Sequence, residues 1–291
     1  MLENERQADA RAPELPATSA PAPSGSAAWP PWTAFTALVG GVVLATIGGL
    51  IVDIPAAALG AHVNSSNLSP GLTIADTTVQ DIGFIAVAVF FAQLGGRKVD
   101  AAMFGLRPTR LRRAVGLLLG ILLTYFLFSL IWAEAFSTSK EKLLEQLGAN
   151  ETTTLLVLSA ALTCVVAPIA EEFLFRGYIF TALRNWRGTL PAAIITGLLF
   201  GAVHAGSAPA IDLVPLAALG FGLCLLYRAS GSLYPCIAAH CINNSIAFGS
   251  LESWIWWKVL VLLAAALAVL WLLATVLTRL GVASREQPLT T

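Results

Sequence analysis

The sequence predicts an all-α, polytopic membrane protein: about eight transmembrane helices forming a bundle with an intramembrane cavity. Three observations lead there. Of 291 residues, 57% are hydrophobic and only 12% charged, against about a quarter charged in ordinary soluble domains. Mean hydropathy is +0.77, and apolar runs near the ~20 residues that cross a bilayer recur along the chain. Three of the runs in the second half nevertheless carry ionisable residues, where charge is costly and marks function by default.

The elements follow in order. Residues 1–29 are rich in Ala, Pro, Ser and charge; such a segment cannot bury a core and reads as a disordered cytoplasmic tail. It lacks the basic region, apolar core and cleavage site of a secretory signal. Residues 30–280 form the membrane domain, with spans at about 33–58, 80–96, 113–135, 153–174, 191–206, 211–227, 234–250 and 255–279. Residues 281–291 make a short flexible tail. Trp29, Trp32, Trp132, Trp254, Trp256 and Trp257 stand near span ends, where interfacial aromatic belts form. Arg97, Lys98, Arg107, Arg110, Arg112 and Arg113 crowd the loop after the second span. Arg184, Arg187, Arg228, Arg279 and Arg285 fall on the same side. The opposite side holds only Lys140, Lys142 and Lys258, so the positive-inside rule puts both termini in the cytoplasm. A formal net charge of zero leaves no basic face for nucleic acid. Cys164, Cys224, Cys236 and Cys241 lie in apolar segments without CxxC spacing and read as small buried residues. His62, in the loop after the first span, has no motif around it and reads as exposed.

The polar residues within the spans carry the functional reading. Glu171, Glu172 and Arg176 sit in the fourth, Phe200 and His204 in the fifth, His240 and Asn244 in the seventh. Glu172 and Arg176, four apart, share a helix face and can pair, while Glu171 is turned by about 100° and left free for a proton. Pro168, one turn earlier, removes a backbone hydrogen bond and can kink the helix. A carboxylate can accept a proton from water and return it to a leaving amine. Two imidazoles can hold that water, or bind a metal that activates it. An asparagine amide can donate to the oxyanion of a tetrahedral intermediate. Cys241 adjoins His240 but points about 100° away, which speaks against a thiol–imidazole pair, and no H-E-x-x-H helix occurs. Structural alternatives use the same residues: an ion pair bracing the bundle, buried histidines, and asparagines joining helices. A proton-coupled transporter or a non-catalytic scaffold would also place polar groups there, though no internal repeat supports a transporter.

The segments EEFLFRG (Glu171 to Gly177), FGAVH (Phe200 to His204) and HCINN (His240 to Asn244) resemble, in that order, the three motifs of the CPBP family. Its members are the CAAX proteases and bacteriocin-processing (Abi) intramembrane endopeptidases, related to the type II CAAX prenyl endopeptidase. The resemblance covers roughly residues 150–250 and implies an eight-helix bundle with a conical cavity, cleaving a peptide bond near a substrate's C-terminal side. It implies Glu171 as general base, His204 and His240 as holders of the water, and Asn244 as oxyanion donor. Glu172 and Arg176 are implied to be structural, with Glu172 able to assist, and Phe200 to support the site. No cofactor is required on the glutamate–water reading, whereas zinc on Glu171, His204 and His240 suits the same residues. The implied partners are the lipid bilayer and a peptide or protein substrate, lipid-modified or membrane-associated; the implied location is the cell membrane of a prokaryote. One tension accompanies the resemblance. His204 lies about 20 Å along its helix from Pro191 and His240 about 8 Å from Pro235, so they share a cavity only if the fifth helix begins deeper.

Overall fold

A computed structural model describes residues 29–61, 63, 68–136 and 146–282. The tail at 1–28, His62, Lys140, Lys142 and residues 283–291 lie outside the described residues. Eight long helical segments occur among those described. They are α1 (Trp32–Ala58), α2 (Pro70–Ala92), α3 (Leu111–Ala135), α4 (Thr153–Arg187), α5 (Thr189–Ala202), α6 (Leu213–Ser230), α7 (Tyr234–Leu251) and α8 (Trp256–Arg279). No strand accompanies them among the described residues.

Six of these helices, not eight, are long and apolar enough to cross a membrane. The shortfall has two causes. α5 has 14 residues, about 21 Å of helix against a hydrocarbon core of ~30 Å. α7 has 18 residues but carries His240, Asn243, Asn244 and Ser245, which lower its hydropathy. Both are anchored by neighbouring helices, α5 against α6 and α7 against α8. The chain is an integral, multi-pass membrane protein.

α4 is the central element, packing against α1, α2, α5, α6 and α7. It runs past the expected end at residue 174 to Arg187 and includes two π-helical stretches, Leu162–Val166 and Phe173–Phe180. From Leu174 to Leu183 every side chain is buried, Arg176 among them, so this turn of helix meets protein on all sides. α2 begins ten residues before the expected start at 80, with Pro70 at its first turn, where the missing N–H costs nothing. Its polar stripe, Thr73, Thr77 and Gln80, faces an internal cavity, which is why hydropathy alone cut the helix short.

α5 and α6 form the closest helix pair. A Cβ on Gly197 would lie 2.8 Å from the Ala217 carbonyl oxygen, and one on Gly201 would lie 2.6 Å from that of Leu213. Only glycine permits this approach, the small-xxx-small packing of membrane helices. Trp29 departs from the interfacial role expected of it. It is only 3% exposed, with ring centroids 5.2 Å from Phe104 and 4.7 Å from Tyr178. Trp32 and Trp256, by contrast, are exposed.

Candidate active site

The second carboxylate of the Glu-Glu pair organises the site from behind. Glu172 and Arg176 are both fully buried on α4, joined by a 2.7 Å hydrogen bond from the guanidinium to Oε1. Arg176 also donates to the Gly220 carbonyl at 3.1 Å and lies 4.5 Å over the Phe200 ring. A buried charge pair is tolerated when further hydrogen bonds and packing satisfy it, and here α5 and α6 both contribute. The same Glu172 Oε1 accepts a hydrogen bond from His240 Nδ1 at 2.9 Å. A carboxylate can only accept, so the proton is on Nδ1 and Nε2 is turned to the other side.

Glu171 occupies a different position. Its side chain retains 13% exposure, and its Oε2 lies 3.9 Å from His240 Nε2, beyond hydrogen-bonding distance. That oxygen has no partner within the protein. Glu171, His204, His240 and Asn244 all line one cavity of about 510 Å³, together with Asn243 and Thr163. Glu172, Arg176 and Phe200 stand behind its wall.

The two histidines meet despite the depth expected from their spacing. α5 ends at Ala202, so His204 sits in the turn beyond the helix. Its Nδ1 donates to the Phe200 carbonyl at 2.7 Å, which again leaves Nε2 without the proton-bearing role. The Phe200 ring lies between the imidazoles, 5.0 Å from His204 and 5.6 Å from His240 by centroids. A short α5 and a shared aromatic floor bring together residues that separate full-length spans would keep at different depths.

Asn244 is oriented by a backbone defect. In the first π-helical stretch the Ala167 N–H reaches the Leu162 carbonyl, five residues back. The next residue, Pro168, has no N–H to give the Thr163 carbonyl. Asn244 Nδ2 donates to that carbonyl at 2.9 Å, and its Oδ1 accepts from Asn243 Nδ2 at 3.0 Å. One N–H of the Asn244 amide remains beyond this network.

Sequence reasoning overlooked α2. Asp81 is 1% exposed, and neither of its carboxylate oxygens has a partner. It lies within electrostatic reach of Glu171, between Thr77 and Phe84, both of which line the cavity. A carboxylate inside an apolar span was itself the signal. The four cysteines are buried and free. Among the described residues no three His, Cys, Asp or Glu side chains converge as a group able to hold a metal ion. No step below is drawn through a metal ion.

The family model described as Type II CAAX prenyl endopeptidase Rce1-like matches residues 153–246. The chain is also similar to a Bacillus subtilis (strain 168) protein named putative membrane peptidase YdiL, 33% identical over 88 residues. That alignment covers 30% of this chain and about a third (35%) of the relative's length. No solved structure matches the chain. The matched segment contains the three motifs and, on the cavity wall, Glu171, His204, His240 and Asn244; it excludes α1 and α2, which complete that wall, as well as α3 and α8. On the motifs and this match together, the segment Thr153–Ile246 is similar to the CPBP family of CAAX-protease-like membrane peptidases.

Proposed function

We propose that the chain is an intramembrane endopeptidase that hydrolyses a peptide bond with a water molecule activated by Glu171. The observation that most supports this is the unpartnered Glu171 Oε2 facing His240 Nε2 across 3.9 Å at a cavity wall. A water set off the line between them reaches both at about 2.8 Å. Both groups accept, so the water donates both protons and turns a lone pair into the cavity. His204 Nε2, which likewise only accepts, lines the same cavity and can take the second water proton in place of His240 Nε2.

In the reaction, the water oxygen attacks the scissile carbonyl carbon while Glu171 takes the water proton. The remaining N–H of Asn244 donates to the oxyanion. As the C–N bond breaks, Glu171 passes the proton to the departing amine, leaving a carboxylic acid and an amine. Glu172 fixes the His240 tautomer and so positions Nε2, and Arg176 holds the Glu172 carboxylate in place. Phe200 supports both imidazoles. On this reading no metal is needed, and activity after thorough chelation equals that before it; loss of activity restored by zinc would overturn that part. The substrate class is a membrane-associated peptide or protein, lipid-modified chains included. The site works in a prokaryotic cell membrane with both termini cytoplasmic, as the distribution of Lys and Arg supports.

The test is substrate trapping. Glu171→Ala, reconstituted in the membrane, inserts and folds as the natural chain does, retains bound peptide and releases no product by mass spectrometry. Cleavage by this variant would sink the mechanism. A second reading, a proton pathway, is favoured by unpartnered carboxylate oxygens on Asp53, Asp76 and Asp81, leading along α1 and α2 toward Glu171. Proton uptake by proteoliposomes without any cleavage would select it.

A further inference from the structure

α7 has two sides, and only one of them faces the cavity. His240, Asn243 and Asn244 line the cavity of about 510 Å³. Tyr234, Pro235 and Ala238 form the floor of a second hollow of about 690 Å³, bounded by α3 and α8. Its volume is in the range of ligand-holding pockets. Its walls are two helical stripes. Leu111, Ala114, Val115 and Leu118 recur at three- and four-residue steps on α3, and Leu267, Leu270, Trp271, Ala274, Thr275 and Thr278 do so on α8.

The groove has direction and polarity. From Leu267 to Arg279, twelve residues of helix cover about 18 Å, close to the ~15 Å of a single leaflet's hydrocarbon. Arg279 lines its end, and Arg110, Arg112 and Arg113 are exposed where α3 begins beside it. No ion pair engages these four arginines among the described residues. Below them the lining is apolar apart from threonines and Tyr234, whose buried hydroxyl has no partner. Apolar walls one leaflet deep, with cations gathered at the mouth, match a molecule with a long hydrocarbon chain and an anionic head. A neutral lipid would leave the arginines without a counter-charge, and a soluble anion would leave the walls bare.

We propose that this groove binds one anionic phospholipid, with an acyl chain along α3 and α8 against Pro235 and Ala238 and its phosphate on Arg279. The proposal does not depend on the peptidase reading, since no residue of the groove lines the cavity.

The full-length protein in detergent is titrated with phosphatidylglycerol and with phosphatidylcholine carrying the same brominated chain. The readouts are native mass spectrometry and the quenching of Trp271, taken as the difference from Trp271→Phe. The natural chain retains one phosphatidylglycerol, at least about fivefold tighter than phosphatidylcholine, and the Trp271 component is quenched. Arg279→Gln reduces the preference while chain binding persists, and Ala274→Trp, which fills the groove, removes both signals. Equal retention of the two lipids, absence of Trp271 quenching, or an undiminished preference in Arg279→Gln would each overturn the proposal. Arg279 is at an exposed helix end, so its variant decides the matter even if Ala274→Trp fails to fold.

Discussion

The two hollows on either side of α7 are of similar size and opposite character. The cavity, about 510 Å³, gathers two histidines, two asparagines and a carboxylate from α4, α7 and the turn after α5. The groove, about 690 Å³, presents leucine, alanine and threonine stripes. The difference teaches how a membrane helix can carry polar residues at all. His240 and Asn244 are tolerated because α4 supplies their partners, Glu172 and the Thr163 carbonyl. Pro235 and Ala238 need no such support.

Substitutions on the cavity side should act on rate or on folding, and those on the groove side on neither. The largest effect is expected from Glu171→Gln, which should lower cleavage by roughly 10²–10⁴-fold, the contribution of a general base. Its thermal unfolding should remain near that of the natural chain, because Glu171 Oε2 has no protein partner to lose. Arg176→Met should instead destabilise by about 3–5 kcal/mol, since Glu172 is left buried and unpaired. Unfolding followed in detergent would measure this, and adding Glu172→Gln should recover part of the loss. A substitution at Arg176 that left stability intact would break the distinction between the two glutamates.

Asn244→Ala is expected to cost roughly 10²-fold in kcat with little change in KM, as removal of an oxyanion donor does. An effect confined to KM would assign Asn244 to substrate binding instead. Gly220→Ala should cost about 1–3 kcal/mol by overpacking, because its Cβ would lie 2.9 Å from that of Phe200. Since Phe200 supports both histidines, cleavage should fall with stability. The smallest effect belongs to the groove: Thr278→Val should leave cleavage within about twofold and stability within about 0.5 kcal/mol. A large loss of cleavage there would show that the two sides of α7 are not independent.

By itself the sequence determined the membrane class, the eight helical segments and the identity of the three motifs. Each of these is written in local composition or in spacing along one helix, such as Glu172 to Arg176. It could not determine which segments are long and apolar enough to cross. The length of α5 depends on where it packs against α6, and the start of α2 depends on its polar stripe facing a cavity. Nor could it bring Asp81 within electrostatic reach of Glu171, or join His204 and His240 across Phe200, because those residues are far apart in the chain. The role of Pro168 shows the same limit. A proline in a helix is legible as a missing N–H, but that the freed Thr163 carbonyl receives Asn244 depends on α7 crossing α4 at that level. Local periodicity specifies which groups are on one face of a helix, and only the packing of helices decides what that face meets.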